Sequence, residues 1–207
     1  MKEQQLLKSF NRLSPDKQNR ILDASIKEFS EHGYQIASMN RVVDSAGIAK
    51  GSLFNYFNTK SSLFIYIYGL ALENVKDYLR TVKDKTKEDS FFIRLEKIML
   101  AGVAFIQDHP RLSRIYFRML YTTDSPHSKE ILPELRKLSG GYLTEIIQDG
   151  INRNELDKNL DIEKTVFILD SVLNRFLKVS HESQNTINAK HWVESLCRIF
   201  KNGMAYK

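Results

Sequence analysis

Apolar residues recur at helical spacing along the whole 207-residue chain. Ser14-Pro15 marks a helix start, with Ser as N-cap and Pro in the first turn, where a missing N–H costs nothing. Ile21, Leu22, Ser25, Ile26 and Phe29 follow in register, and Gly33 is expected to close the helix in a left-handed C-cap. Ser38 opens a short second helix, Met39–Ser45, which Ala46-Gly47 breaks; Gly47 can supply the positive φ of a tight turn. A third short helix is predicted over Lys50–Tyr56, with Asn58-Thr59 ending it and capping a fourth, Lys60–Lys83. The fourth carries Leu63, Phe64, Ile67, Leu70, Tyr78 and Val82. Gly69 inside it costs about 1 kcal/mol relative to alanine and could mark a bend or a close contact.

Residues 81–89 read as a polar helix end and a loop. Further helices are expected at about 89–108, 111–121, 127–151, 161–182 and 187–204, punctuated by Pro110, Pro126 and the stretch 152–161. The run Phe64–Tyr68 could be a strand in isolation, but it lies within a long helical pattern. The expected fold class is all-α.

Composition agrees with this pattern. Nine glycines and four prolines suit long helices with few turns, and 42% hydrophobic with 27% charged residues suits an ordinary core. The net charge of +6 is a mild bias toward anionic partners. It is unevenly spread. Residues 1–60 hold 9 Lys+Arg against 6 Asp+Glu, so under a third of the chain carries half the excess. The single cysteine, Cys197, allows no intramolecular disulfide and fits a reducing cytoplasm. The first residues lack the apolar stretch of a secretory signal, and no run is long enough to span a bilayer.

Catalytic chemistry finds little support. The histidines at 32, 109, 127, 181 and 191 form no HExxH pair, and Cys197 has no histidine beside it. Asp124-x-x-His127 is a weak metal signal in a loop, and no glycine-rich phosphate loop is present. No catalytic residue, metal or cofactor is expected.

The short helices carry the functional signal. Two of them joined by a turn at Gly47 make a helix-turn-helix, whose second member fits the roughly 12 Å wide major groove of DNA. Ala49, Lys50, Gly51 and Ser52 lead that helix. Lys50 can bond a guanine edge or a phosphate, while Gly51 and Ser52 are small enough for close approach. Asn55 can meet a base edge or a phosphate, and Tyr56 and Lys60 can reach the backbone. Ser38 caps the second helix, whose N-terminal N–H groups favour a phosphate. With Asn40 and Arg41 on that helix, the expected DNA-contacting set is Ser38, Asn40, Arg41, Lys50, Gly51, Ser52, Asn55, Tyr56 and Lys60. Leu53, Phe54 and Phe57 read as core.

The stretch SMNRVVDSAGIAKGSLFNYFNTKSSLF resembles the DNA-binding motif of the TetR/AcrR family of bacterial regulators. The matching features are Ser38, Ala46-Gly47 at the turn, Lys50-Gly51-Ser52-Leu53, the aromatic pair Tyr56-Phe57, and Lys60 before an apolar pair. Two positions depart from the usual pattern: Ala49 replaces a Ser or Thr, and Phe54 replaces a Tyr, which removes a hydroxyl from each.

The resemblance implies a DNA-binding domain over 1–59 and a helical effector-binding and dimerisation domain over 60–207. It implies a homodimer that binds a palindromic double-stranded operator, most simply as a repressor, and leaves it when a small apolar or aromatic effector binds. The expected dimer interface draws on Leu169, Leu173 and Phe176 of one helix and Trp192, Leu196, Ile199 and Phe200 of another. These stripes could equally cover the chain's own core. The expected effector pocket draws on Phe105, Tyr116, Phe117, Tyr121, Tyr142 and Phe167. Arg94, Arg114, Arg118 and His109 could anchor an acid group, although a solvated face is the simpler reading of each. The rival expectation is a helical lipid- or small-molecule-binding protein without DNA binding. It would account for the apolar helices but not for the turn and the lysine-led helix.

Overall fold

The computed structural model describes residues 8–122, 128–183 and 187–204. Residues 8–11 are helical, and nine further helices follow among the described residues, with no strand. They are α1 (Pro15–Ile36), α2 (Met39–Ala46), α3 (Lys50–Phe54), α4 (Lys60–Lys85) and α5 (Phe91–Asp108), then α6 (Pro110–Tyr121), α7 (Ser128–Asn152), α8 (Ile162–Glu182) and α9 (Ala189–Met204). The Asp124-x-x-His127 pair and Pro126 lie outside the described residues.

Helix ends depend on more than residue type. Ser14 and Ser38 occupy N-cap positions, yet neither hydroxyl bonds to a helix N–H. Thr59 does cap: its Oγ1 accepts from Ser62 N–H at 3.0 Å while its own N–H donates to Ser62 Oγ at 3.1 Å. This reciprocal pairing satisfies two otherwise orphaned donors at the start of α4. Asp161 likewise caps α8, accepting from the Lys164 N–H at 3.1 Å.

Contacts divide the chain into two units, Met1–Glu73 with Arg111–Ser128, and Asn74–Pro110 with Lys129–Lys207. The division by packing therefore falls within α4, and most of α6 belongs with the first unit. The core of the first unit contains Ile21, Phe29, Val42, Leu53, Phe57, Leu63 and Ile67. Phe10 joins it fully buried, with ring centroids 5.1 Å from Phe57 and 5.5 Å from Tyr66. The stretch before Pro15 thus contributes to the core, which its sequence pattern did not suggest.

In the second unit α5 packs against both α8 and α9. Gly102 permits a close approach there, since a Cβ on it would lie 2.7 Å from Leu177 Cδ2. Arg94 is not a solvated arginine. It is buried, and its Nη1 donates to Asp149 Oδ2 at 2.6 Å.

Gly33 and Gly47 have different backbones. Gly47, at φ 62 and ψ 43, is left-handed and closes α2, with its N–H on Asp44 O and the Ile48 N–H on Val43 O, both at 3.3 Å. Gly33 does not form the left-handed cap expected of it. At φ 69 and ψ 178 it kinks α1, and one more turn follows to Ile36. That region is open almost only to glycine, whereas the left-handed one admits asparagine. Gly33→Asn should therefore destabilise by about 1–3 kcal/mol, and Gly47→Asn by well under that. Thermal and urea unfolding of the two variants measures the difference; equal costs would contradict the assignment.

Candidate nucleic-acid interface

Helix α2, the turn at Gly47 and α3 form a turn-linked helix pair. Leu53 anchors α3 by its full burial, and Phe57 just beyond is buried too. On so short a helix this orientation leaves Lys50, Gly51, Phe54 and Asn55 exposed. Phe54 departs from the core role expected of it: it is one residue on from Leu53, about 100° around the helix. Among the described residues the Lys50 side chain has no ion-pair partner, and a Cβ on Gly51 would meet nothing within 4 Å. Asn40 is exposed on α2, while Ser38 and Ser52 are half-buried. Tyr56 is half-buried too, its ring centroid 6.0 Å from that of Phe10 and 5.9 Å from Lys17 Nζ.

Arg41 and Lys60 are engaged within the unit. Arg41 Nη2 donates to Ile36 O at 2.8 Å and to Glu28 Oε1 at 2.5 Å, and Arg41 Nε reaches Glu28 Oε1 at 2.9 Å. Lys60 Nζ donates to Gln35 O at 3.0 Å and to Ala37 O at 3.1 Å, and stands 4.9 Å from the centroid of the Tyr34 ring. Three successive carbonyls at the C-terminal end of α1 thus accept from cationic side chains, which suits the negative end of a helix.

Glu28 lies at the centre of this arrangement and was not singled out from the sequence. Only 7% exposed, it also accepts the Ser38 N–H at 2.7 Å. Burial pushes its carboxyl up, but the Arg41 guanidinium and the Ser38 amide outweigh burial and hold it below the usual carboxylate range. A sequence signal existed: Glu28 is seven residues after Ile21 and four after Ala24, on the buried stripe of α1.

The other expected residues separate clearly. Tyr116, Phe117 and Tyr121 belong to the first unit; Phe105, Tyr142 and Phe167 belong to the second. Phe117 and Phe105 are buried, and the Phe105 ring packs 5.5 Å from Tyr78 and 5.0 Å from His109. Tyr116 is half-buried and Tyr121 exposed. The Tyr142 hydroxyl is buried, and burial pushes its pKa up. Phe167 does not line an interior pocket, because it is 72% exposed. It precedes the buried Leu169 by two residues, about 200° around α8.

Of the expected interface residues, Leu169, Leu173, Phe176 and Phe200 lie in the chain's own core, and Leu196 packs against it. Trp192 and Ile199 are 46% and 64% exposed, and Ile168 of α8 joins Phe167 on the outward side. α8 and α9 touch where the rings of Phe176 and Trp192 stack at 6.4 Å.

A turn-linked helix pair with a lysine-led, unobstructed second helix, followed by an all-helical unit, defines a helix-turn-helix regulator. The model for the tetR family of bacterial regulatory proteins matches residues 21–67, and that for the tetracyclin repressor-like C-terminal domain matches residues 89–205. The chain belongs to the TetR family and is a DNA-binding transcriptional regulator. It is similar to the uncharacterized HTH-type transcriptional regulator YhgD of Bacillus subtilis, with 26% identity over 159 residues, 76% of this chain and 80% of the other. A TetR family regulator from Chloroflexus aurantiacus matches with a TM-score of 0.76 and 24% identity, covering 97% of this chain and 98% of that one. FadR from Bacillus subtilis, solved with stearoyl-CoA, matches with a TM-score of 0.75 and 17% identity, covering 89% and 98%. Both structures share the fold.

Gly51 gives a direct test of what the α3 surface is for. Nothing among the described residues needs a glycine there, and alanine is favoured in a helix by about 1 kcal/mol. Gly51→Ala should raise the melting temperature of the free protein and weaken its DNA complex. An unchanged DNA affinity would show that this face does not approach DNA closely.

Proposed function

We propose that this protein is a homodimeric repressor. It binds a palindromic operator through the outward face of α3 and leaves the operator when a small, largely apolar effector binds. The observation that carries the reading is that face: Lys50, Gly51 and Asn55 are exposed on a helix whose inner side is locked by Leu53. Lys50, Asn40 and Asn55 are the best candidates for base or phosphate contacts, with Ser38, Ser52 and Tyr56 beside them. Lys60 keeps one N–H beyond its two carbonyl bonds for a phosphate. Such a protein works where the chromosome is, in the cytoplasm.

The dimer surface we favour is the outer side of α8 and α9, made of Phe167, Ile168, Trp192 and Ile199. These are large apolar side chains that stand exposed among the described residues. Two-fold pairing would present two α3 helices to successive major grooves. The effector class is supported by the aromatic content of the helices and by the stearoyl-CoA in the FadR structure. Release is a population shift: moving a 1:99 balance to 99:1 needs about 5.5 kcal/mol of differential effector affinity. α4 is the natural carrier of such a shift, since its residues 60–73 pack in one unit and 74–85 in the other.

The test is binding to a duplex selected from random-sequence DNA by the purified protein, titrated over a range of salt. Affinity should fall steeply with salt, and Lys50→Ala should weaken binding and flatten the log–log slope by about 0.9 if Lys50 neutralises a phosphate. Stearoyl-CoA is the first effector probe and should displace the duplex. Salt-insensitive binding, or none, would sink the DNA-reading proposal. In sedimentation experiments Ile199→Glu should turn dimer into monomer and weaken the complex, while leaving the helical content unchanged.

A further inference from the structure

We infer that Glu28 and Arg41 are positioning residues for DNA binding, and that Arg41 acts through Glu28 rather than on a phosphate. The inference rests on the proposed reading of DNA by α3. Glu28 projects from the middle of α1, and its carboxylate holds two points of the following segment at once: the Ser38 N–H at 2.7 Å and the Arg41 Nε at 2.9 and 3.1 Å. Arg41 in turn holds Ile36 O at 2.8 Å. The bonds to Glu28 span the kink at Gly33, and together with the Ile36 bond they fix the start of α2 on α1. α3 follows α2 after three residues, so a shift in α2 is carried to the face bearing Lys50 and Asn55.

Two further observations argue against a phosphate beside Arg41. Its guanidinium is saturated on one edge by a carboxylate that is itself buried, so turning toward DNA would leave that charge unpaired. The open groove around it is lined by Glu28, Glu31 and Asp44 as well as by Lys27, His32 and Arg41. Three carboxylates against two permanent cations make a poor seat for a phosphate.

The pair makes a prediction opposite in sign to simple electrostatics. Removing a negative charge from a DNA-binding unit should strengthen its DNA complex, yet Glu28→Gln should weaken it by roughly tenfold. Arg41→Gln should weaken it similarly without changing the salt slope, and the double variant should be little worse than either single one. Affinities are measured on the selected duplex at a temperature where circular dichroism shows each variant folded, with Lys50→Ala as the control that does change the slope. If Glu28→Gln does not fold, Arg41→Lys decides. It keeps the charge but loses the two-point grip, so it should bind more weakly with the wild-type slope.

Equal or tighter binding by Glu28→Gln, wild-type binding by Arg41→Lys, or a slope lowered by about one in Arg41→Gln would overturn the inference. Failure of the wild-type protein to bind any selected duplex would instead remove the reading on which it rests.

Discussion

The first unit depends on how a buried carboxylate is satisfied. Taking Glu28 out of water costs several kcal/mol unless every strong acceptor site finds a donor. Here the donors come from the Ser38 amide and the Arg41 guanidinium, both across the kink from Glu28 itself. The carboxylate therefore does more than tolerate burial. Its requirement for donors selects one placement of α2 on α1, because an altered placement would strand a charge. Lys60 adds a second hold on the same connection from the start of α4, so the carbonyls of Gln35, Ile36 and Ala37 are all engaged by cations.

The same constraint divides the basic residues into two kinds. Arg41 and Lys60 face inward toward carbonyls and a carboxylate, and hold the unit together. Lys50 faces outward with no ion-pair partner among the described residues. Of the three, Lys50 is therefore the cation most available to a polyanion. Gly51 beside it has the same character: the fold offers room for a side chain there, and the chain does not use it.

In the second unit α8 and α9 carry apolar residues on more than one side. Leu169, Leu173 and Phe176 point inward to the core shared with α5, while Phe167 and Ile168 point away from it. A helix with apolar residues on two sides meets two different demands, and its inner side is taken by its own chain. Trp192 and Ile199 extend the outer side onto α9.

The sequence by itself determined the all-α class, the order of the helices and nearly all of their extents. Those features follow from local chemistry: apolar spacing at 3.6 residues, prolines and turn glycines, and the turn at Gly47. It also determined the family, because the turn and the lysine-led third helix form a contiguous motif. What only the tertiary structure decided was the direction in which each side chain faces. Arg41 and Lys60 read as free cations in the sequence because their charge is visible there and their partners, at positions 28 and 35–37, are not. Phe167 and Leu169 are both large and apolar, and only the packing of α8 against α5 sets one in solvent and the other in the core. The hidden place of Phe10 has the same origin, since burial is a property of what surrounds a residue.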